Sequence, residues 1–295
     1  MTILSERALL VRPSISVWRG EMLDRAASRD TAERHKAERG QVRTTKYLIP
    51  KAALDPIGTA ANSIRSFVRQ ETLPWRWDGV SLLPTENFMD FMDGFRQRRL
   101  HFDAAVRFLK SRWAIHVHMG MAALGDLASA GDYPEVEQLD GLFSVSLDTF
   151  QVPDGTDFRA ALPESAADEI REHLRLEAEA ELVRVQAYMW EQMELAVARI
   201  VDRLSEYQKD EDGKVTRGRI NESLIGNLTL LVDRLSRLNI ARDPGIEAMR
   251  LQLDRKLCGF TAADLKDDDT LRSNVCDAAA DILQQFSNIR GLASV

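Results

Sequence analysis

The apolar positions change period several times along the chain, and each change predicts an element. Residues 8–18, ALLVRPSISVW, end in an alternation with Ile15 and Val17 set against Ser14 and Ser16. That period of two predicts a strand with one buried face. Residues 20–44 are polar and arginine-rich, which predicts a solvated helix or a mobile arm. Pro50 and Pro56 interrupt the next stretch; Ile57, Ala60, Ala61, Ile64 and Val68 then fall at helical spacing. After a loop, TLPWRWDG, comes an aromatic stripe of Phe88, Phe91, Met92, Phe95, Phe102, Val106, Leu109 and Trp113. Thr85 after Pro84 is the expected N-cap of that long helix, and its stripe is expected to face a core rather than a cofactor.

The period returns to two at Phe143, Val145 and Leu147, which alternate with Ser144, Ser146 and Asp148. Val152-Pro153-Asp154-Gly155 closes this strand with a turn. It and the N-terminal strand are candidates to pair. From Ser165, read as an N-cap with Asp168 three residues on, apolar residues recur at threes and fours as far as Tyr207. Among them are Leu174, Leu182, Met189 and Ile200. A continuous helix here spans roughly 65 Å at 1.5 Å per residue, so it must project or lie along a partner helix. YQKDEDGKVTRGR forms the turn, and Leu224, Leu228, Leu231, Leu235 and Leu238 return on one face. The pair predicts a long antiparallel helical hairpin. Asp243-Pro244 stops it, and two or three shorter helices complete the chain, with Asp267 to Asp269 in a connecting loop.

The expected fold is therefore mainly α with a small antiparallel β-sheet and a long antiparallel helical hairpin. The expected division is an α+β head over 1–160, the hairpin over 161–242, and C-terminal short helices over 243–295 packing on the hairpin or head. At 44% hydrophobic and 29% charged, the 295 residues suit a folded chain. No apolar run approaches a membrane span, and the N-terminus lacks the signal-peptide pattern. Cys258 and Cys276 lie in helical patterns with no CxxC, which suggests idle thiols in a reducing compartment.

The net charge of −7 is unevenly spread. Residues 1–115 carry 20 Lys and Arg against 13 Asp and Glu; the remainder carries 19 against 33. Such a split marks either an anion-binding half or two halves that attract each other. Trp75, Arg76 and Trp77 in the TLPWRWDG loop could stack bases while Arg65, Arg69, Arg96, Arg98 and Arg99 hold phosphates. Alternatively the tryptophans plug the loop into the core, and the neighbouring Glu71 and Asp78 favour that reading.

Chemistry is sparse. His116 and His118, two apart on a helical pattern, diverge and make poor co-ligands. DEDG at 210–213 lacks the register of a calcium loop. No phosphate-binding glycine loop, dinucleotide fingerprint or nucleophile elbow occurs. No catalytic residue, metal site or cofactor is expected, and the reading is of a non-enzyme.

ISVWRG, KYLIPKAALDPI, TLPWRWDGVSLLPTENF, LGDLASAGDYP, LFSVSLDTFQVPDGTDFRAAL and LNIARDP, in this order over residues 12–245, resemble an uncharacterised protein family of tailed-phage and prophage genomes. The family has no established activity and no established catalytic residues, so the resemblance implies context alone: a protein of the host cytoplasm from an early or accessory gene module. The resembling sequences keep LPW and a later LLP, which points to Trp75 as a structural residue. Two functions follow as expectations. One is self-association, or binding of another phage or host protein, through the hairpin residues Leu174, Leu182, Met189, Ile200, Leu228 and Leu235. The other is binding or annealing of single-stranded nucleic acid through the tryptophan loop and its arginines.

Overall fold

A computed structural model of the chain describes residues 2–38, 40–155, 163–210 and 215–293. In chain order the elements are α1 (Ile3–Arg7), β1 (Ala8–Val17), β2 (Glu21–Asp24), α2 (Arg25–Arg34), β3 (Thr44–Tyr47), α3 (Lys51–Glu71), β4 (Leu73–Pro74) and β5 (Ser81–Pro84). There follow α4 (Phe88–Ser111), α5 (Trp113–Leu124), α6 (Leu139–Leu142), β6 (Phe143–Gln151) and α7 (Glu164–Ser205). The chain continues with β7 (Gln208–Lys209), β8 (Val215–Arg217), α8 (Glu222–Leu238), α9 (Pro244–Leu257), α10 (Ala262–Asp267) and α11 (Asp269–Ala293).

The protein is mainly α with a small antiparallel sheet, as the periodicity predicts. β1 pairs antiparallel with β6, with Ile15 opposite Val145 and Val17 opposite Phe143. On that half of the sheet the apolar face lies on α3 and α4, and Ser14, Ser16, Ser144 and Ser146 are exposed. At the other end β1 also pairs with β5, which pairs with β4, giving the order β4-β5-β1-β6. Here the sheet is covered on both faces. Leu10 and Leu82 point into a core shared with α7 to α11, while Val11 and Leu83 point into the core with α3 and α4. The uninterrupted apolar pairs Leu10-Val11 and Leu82-Leu83 are what a doubly covered strand requires, since successive side chains take opposite faces.

Several expectations need correction. Residues 20–44 are not a lone helix or arm: β2 and β3 pair, with α2 as an excursion between them. The pair is fastened by Lys46, 9% exposed, whose Nζ lies 3.3 Å from Asp24 and 2.6 Å from Asp132 and donates to the Leu127 carbonyl at 3.1 Å. Asp24 also caps α2, accepting from Ala26 and Ala27 N–H. These N–H groups, with Lys46, hold its carboxyl below the usual range. Close by, Gly120 lies against the backbone of Leu48, where an added Cβ would stand 1.7 Å from the carbonyl oxygen.

Pro56 does not break its helix. It sits in the second turn of α3, where its missing N–H removes one backbone hydrogen bond. Thr85 lies in a 3-10 turn before α4, and its hydroxyl donates to the Arg7 carbonyl instead of capping. The aromatic helix ends at Ser111, and Trp113 opens α5. Ser165 is inside α7, which begins at Glu164 behind Pro163 without a side-chain cap. Asp243 caps α9, with Pro244 in its first turn. Asp267 ends α10 and Asp269 opens α11, so only Asp268 of the three is outside a helix.

α7 is one unbroken helix of 42 residues. It does not project from the molecule as half of a bare hairpin. α11, at 25 residues a long helix rather than a short one, packs beside it, with Trp190 edge-on to Phe286 at 6.0 Å and Arg272 stacked over Tyr207 at 4.7 Å. Residues of α1, β1 and β4 share this core, so the C-terminal helices and the N-terminal strands form one body of packing rather than separate layers of the chain.

Candidate interaction site

The residues expected to act do not gather in one place. Trp75 is 9% exposed and lies in the core with Leu4, Leu73 and Val152, whereas Trp77 is 45% exposed and meets Trp75 edge-on at 6.0 Å. Arg76 stands over both rings, at 5.6 and 5.4 Å, and pairs with Glu177 of α7 at 2.6 Å. The loop is thus bolted to the long helix. An indole in the core and a guanidinium engaged by a carboxylate leave little to offer a nucleotide. The other named arginines are also occupied or scattered. Arg96 pairs with Asp93 at 2.7 Å, Arg99 with Asp103 at 3.8 Å, and Arg65 bonds Asn62 at 3.1 Å. Arg98 stacks on Phe67 at 4.0 Å and donates to the Gly94 carbonyl. Only Arg69 joins the site described below.

The hairpin residues are mostly inside. Met189, Ile200, Leu228 and Leu235 are at most 2% exposed, Leu182 packs on the same core, and Leu174 is half-buried. The stripe expected to meet a partner is covered by this chain's own helices. The physical reason is that α8, α9 and α11 together close over α7, which one return helix could not.

What the hairpin leaves open is its other side. α8 buries Ile225, Leu228, Val232, Leu235 and Leu238, a face turned from the predicted one, so Leu224 and Leu231 fall at its edge. They line a furrow between α7 and α8 that runs in three adjoining segments. The first, about 470 Å³, lies beside β8 and is flanked by Arg203, Arg217 and Arg219. The second, about 350 Å³, has Leu195, Ala196 and Arg199 of α7 facing Leu230, Leu231 and Arg234 of α8. The third, about 180 Å³, ends at Arg69 and Gln70 of α3 and at Tyr188. Adjoining segments share Leu224 and Asn227, then Gln192 and Leu231.

Six arginines line this furrow, and no Asp or Glu does among the described residues. Arg234 reaches Glu71 at 3.3 Å, just outside it. Arg69, Arg199, Arg203, Arg217 and Arg219 form no ion pair among the described residues. Leu195 and Leu230, on opposite walls, are 44% and 49% exposed. Burial first, and Glu191 second, hold the Tyr188 hydroxyl above its ordinary value, against the pull of Arg69, so it is a neutral donor at the furrow's end. Gly218, at φ +63°, closes the turn into the furrow's first segment; a Cβ there would meet the Tyr207 backbone nitrogen at 2.5 Å. The only signal for this site in the sequence is the i, i+4 pair Arg199 and Arg203 one turn beyond Leu195, with Arg217 and Arg219 after the turn.

His116 is half-buried and His118 exposed on α5, and no group of three or more His, Cys, Asp or Glu able to hold a metal occurs among the described residues. Residues 211–213 of DEDG lie outside the described residues. Among the described residues no helix is long and apolar enough to cross a membrane. No protein-family model, curated protein or solved structure matches the chain.

Proposed function

We propose that this chain is a non-enzymatic phage accessory protein that binds an acidic, amphipathic helix of another protein in the furrow between α7 and α8. One observation carries the reading: among the described residues, six arginines and no carboxylate flank exposed leucines on both walls, in a chain of net charge −7. A helix laid in a groove needs apolar contact along its seam and complementary charge at the rim. Single-stranded nucleic acid would instead need aromatic faces for its bases, and the furrow's aromatic side chain is Tyr188 at one end.

A second copy is a second possible partner of the same chemistry. The acid-rich first half of α7 exposes Leu176 and Val183, at 51% and 64%, beside exposed Glu169 and Glu179. Light scattering on the purified protein reads this directly. A discrete oligomer that dissociates in L176K/V183K assigns the furrow's occupant to the chain itself; a monomer leaves a foreign helix.

The test of the main reading is a charge swap. A labelled leucine-faced helical peptide with glutamates at its flanks should bind, more weakly as salt rises. Arg199→Glu with Arg203→Glu should abolish that binding and admit the same peptide with lysine flanks. Binding of an oligothymidylate in place of the acidic peptide would transfer the furrow to nucleic acid.

A further inference from the structure

A second open space lies far from the furrow in the chain, and it has a different build. β2, α2 and the turn at residues 40–43 enclose a cup of about 690 Å³, within the range of about 300–1,000 Å³ typical of small-molecule sites. Its floor is apolar, from Leu23, Ala32 and Val42. Its rim carries Arg25 and Arg29, one turn apart on α2, and Arg43 from the facing lip.

The sequence explains why the cup stays open. α2 is RAASRDTAER, whose only apolar residues are Ala26, Ala27 and Ala32. An excursion with no large apolar side chain, whose arginines extend to solvent, does not fill the space it encloses. The nearby polar groups are already committed. Asp24 caps α2 and pairs with Lys46, Asp30 pairs with Arg34, and the Ser28 hydroxyl accepts from Thr44 N–H at 2.9 Å. Among the described residues, Arg25, Arg29 and Arg43 have no carboxylate partner and no Asp or Glu lines the cup. Three guanidinium groups around one apolar hollow repel each other until an anion enters.

We infer that this cup binds a single small amphiphilic anion, a carboxylate or phosphate head held by Arg25, Arg29 and Arg43 with its aliphatic body against Leu23, Ala32 and Val42. The inference stands on its own residues and does not depend on the furrow.

Calorimetry with monomeric octyl phosphate and octanoate tests it on the full chain. One molecule should bind per chain. Octanol and inorganic phosphate, each carrying half of the ligand's chemistry, should bind at least tenfold more weakly. R25Q/R29Q, at exposed positions, should lose at least tenfold in affinity with the melting temperature unchanged. A32L, which fills the cup and keeps every charge, should lose affinity comparably. Sedimentation with phosphatidylglycerol vesicles but not phosphatidylcholine vesicles, abolished in R25Q/R29Q, assigns the head group to a membrane lipid; no sedimentation with octyl phosphate binding intact assigns a free amphiphile. Several molecules bound per chain, equal binding of octanol, or undiminished binding in both variants would overturn the inference.

Discussion

In the loop of residues 75–80, Arg76 lies over two indole rings and reaches Glu177; in the furrow, Arg199 and Arg203 stand near Leu195 with no carboxylate along the walls among the described residues. Both regions set arginine beside apolar surface. In the first, a carboxylate from a distant part of the chain neutralises the cation and a core absorbs the ring beside it. In the second, no carboxylate among the described residues does so, and in the proposed function that charge is left for a partner. Arginine frequency therefore says little about where an anion binds. The side chains that the fold brings next to each guanidinium decide it.

The largest effect expected from breaking this comparison is at Trp75. Trp75→Ala should destabilise the fold by about 3–5 kcal/mol, the cost of truncating a buried aromatic. Trp77→Ala, at an exposed position, should cost less than about 1 kcal/mol. Urea denaturation of both variants measures the difference, and equal costs would mean that the loop is not anchored by its first tryptophan.

Lys46 represents the largely buried cation, held by Asp132 and Asp24. Lys46→Met leaves two carboxylates without their counter-charge and should cost about 3 kcal/mol. The hydrogen bond to Asp132 above all raises the Lys46 pKa above its ordinary 10.5, against the opposing effect of burial. A raised folded-state value means that this stabilisation is complete below about pH 10.5 and is lost as pH rises through the raised pKa. Arginine stays protonated over that range, so the arginines of the loop and the furrow do not contribute to the loss. Melting temperature followed from pH 8 to 11.5 should fall less steeply in Lys46→Met than in the parent protein.

Arg76→Ala should be milder, about 1–2 kcal/mol, because its pair with Glu177 is partly solvated and its ring contacts are individually weak. A double-mutant cycle with Glu177→Gln should return a coupling of about 0.5–1 kcal/mol. A coupling of zero would show that Glu177 does not hold the loop.

The smallest effect on stability belongs to the furrow. Leu195→Ala and Arg199→Ala should each change it by no more than about 0.5 kcal/mol, while affinity for the acidic helical peptide falls at least tenfold. A large loss of stability at these positions would make the furrow part of the core and remove its claim to be a binding surface.

The amino-acid sequence by itself determined the elements whose pattern is local. The alternation at Ile15 and Val17, and again at Phe143 to Leu147, specified two strands that pair as expected. The long run of threes and fours after residue 164, without glycine or proline, specified α7. The doubly covered end of the sheet was not legible, because pairs such as Leu82-Leu83 have no period to read and β4 is only two residues long. Nor was the furrow. Which face of α8 turns inward depends on α9 and α11, and a helical periodicity that accommodates either Leu224 and Leu231 or Ile225 and Val232 does not choose between them. The choice belongs to packing: burying Val232 inside the bundle puts Leu231 at an edge, and with it Leu230 and the arginines that ring the furrow. Partners distant in sequence, such as Glu177 for Arg76 and Asp132 for Lys46, exist only once the chain has folded, and it is they that separate a committed charge from an available one.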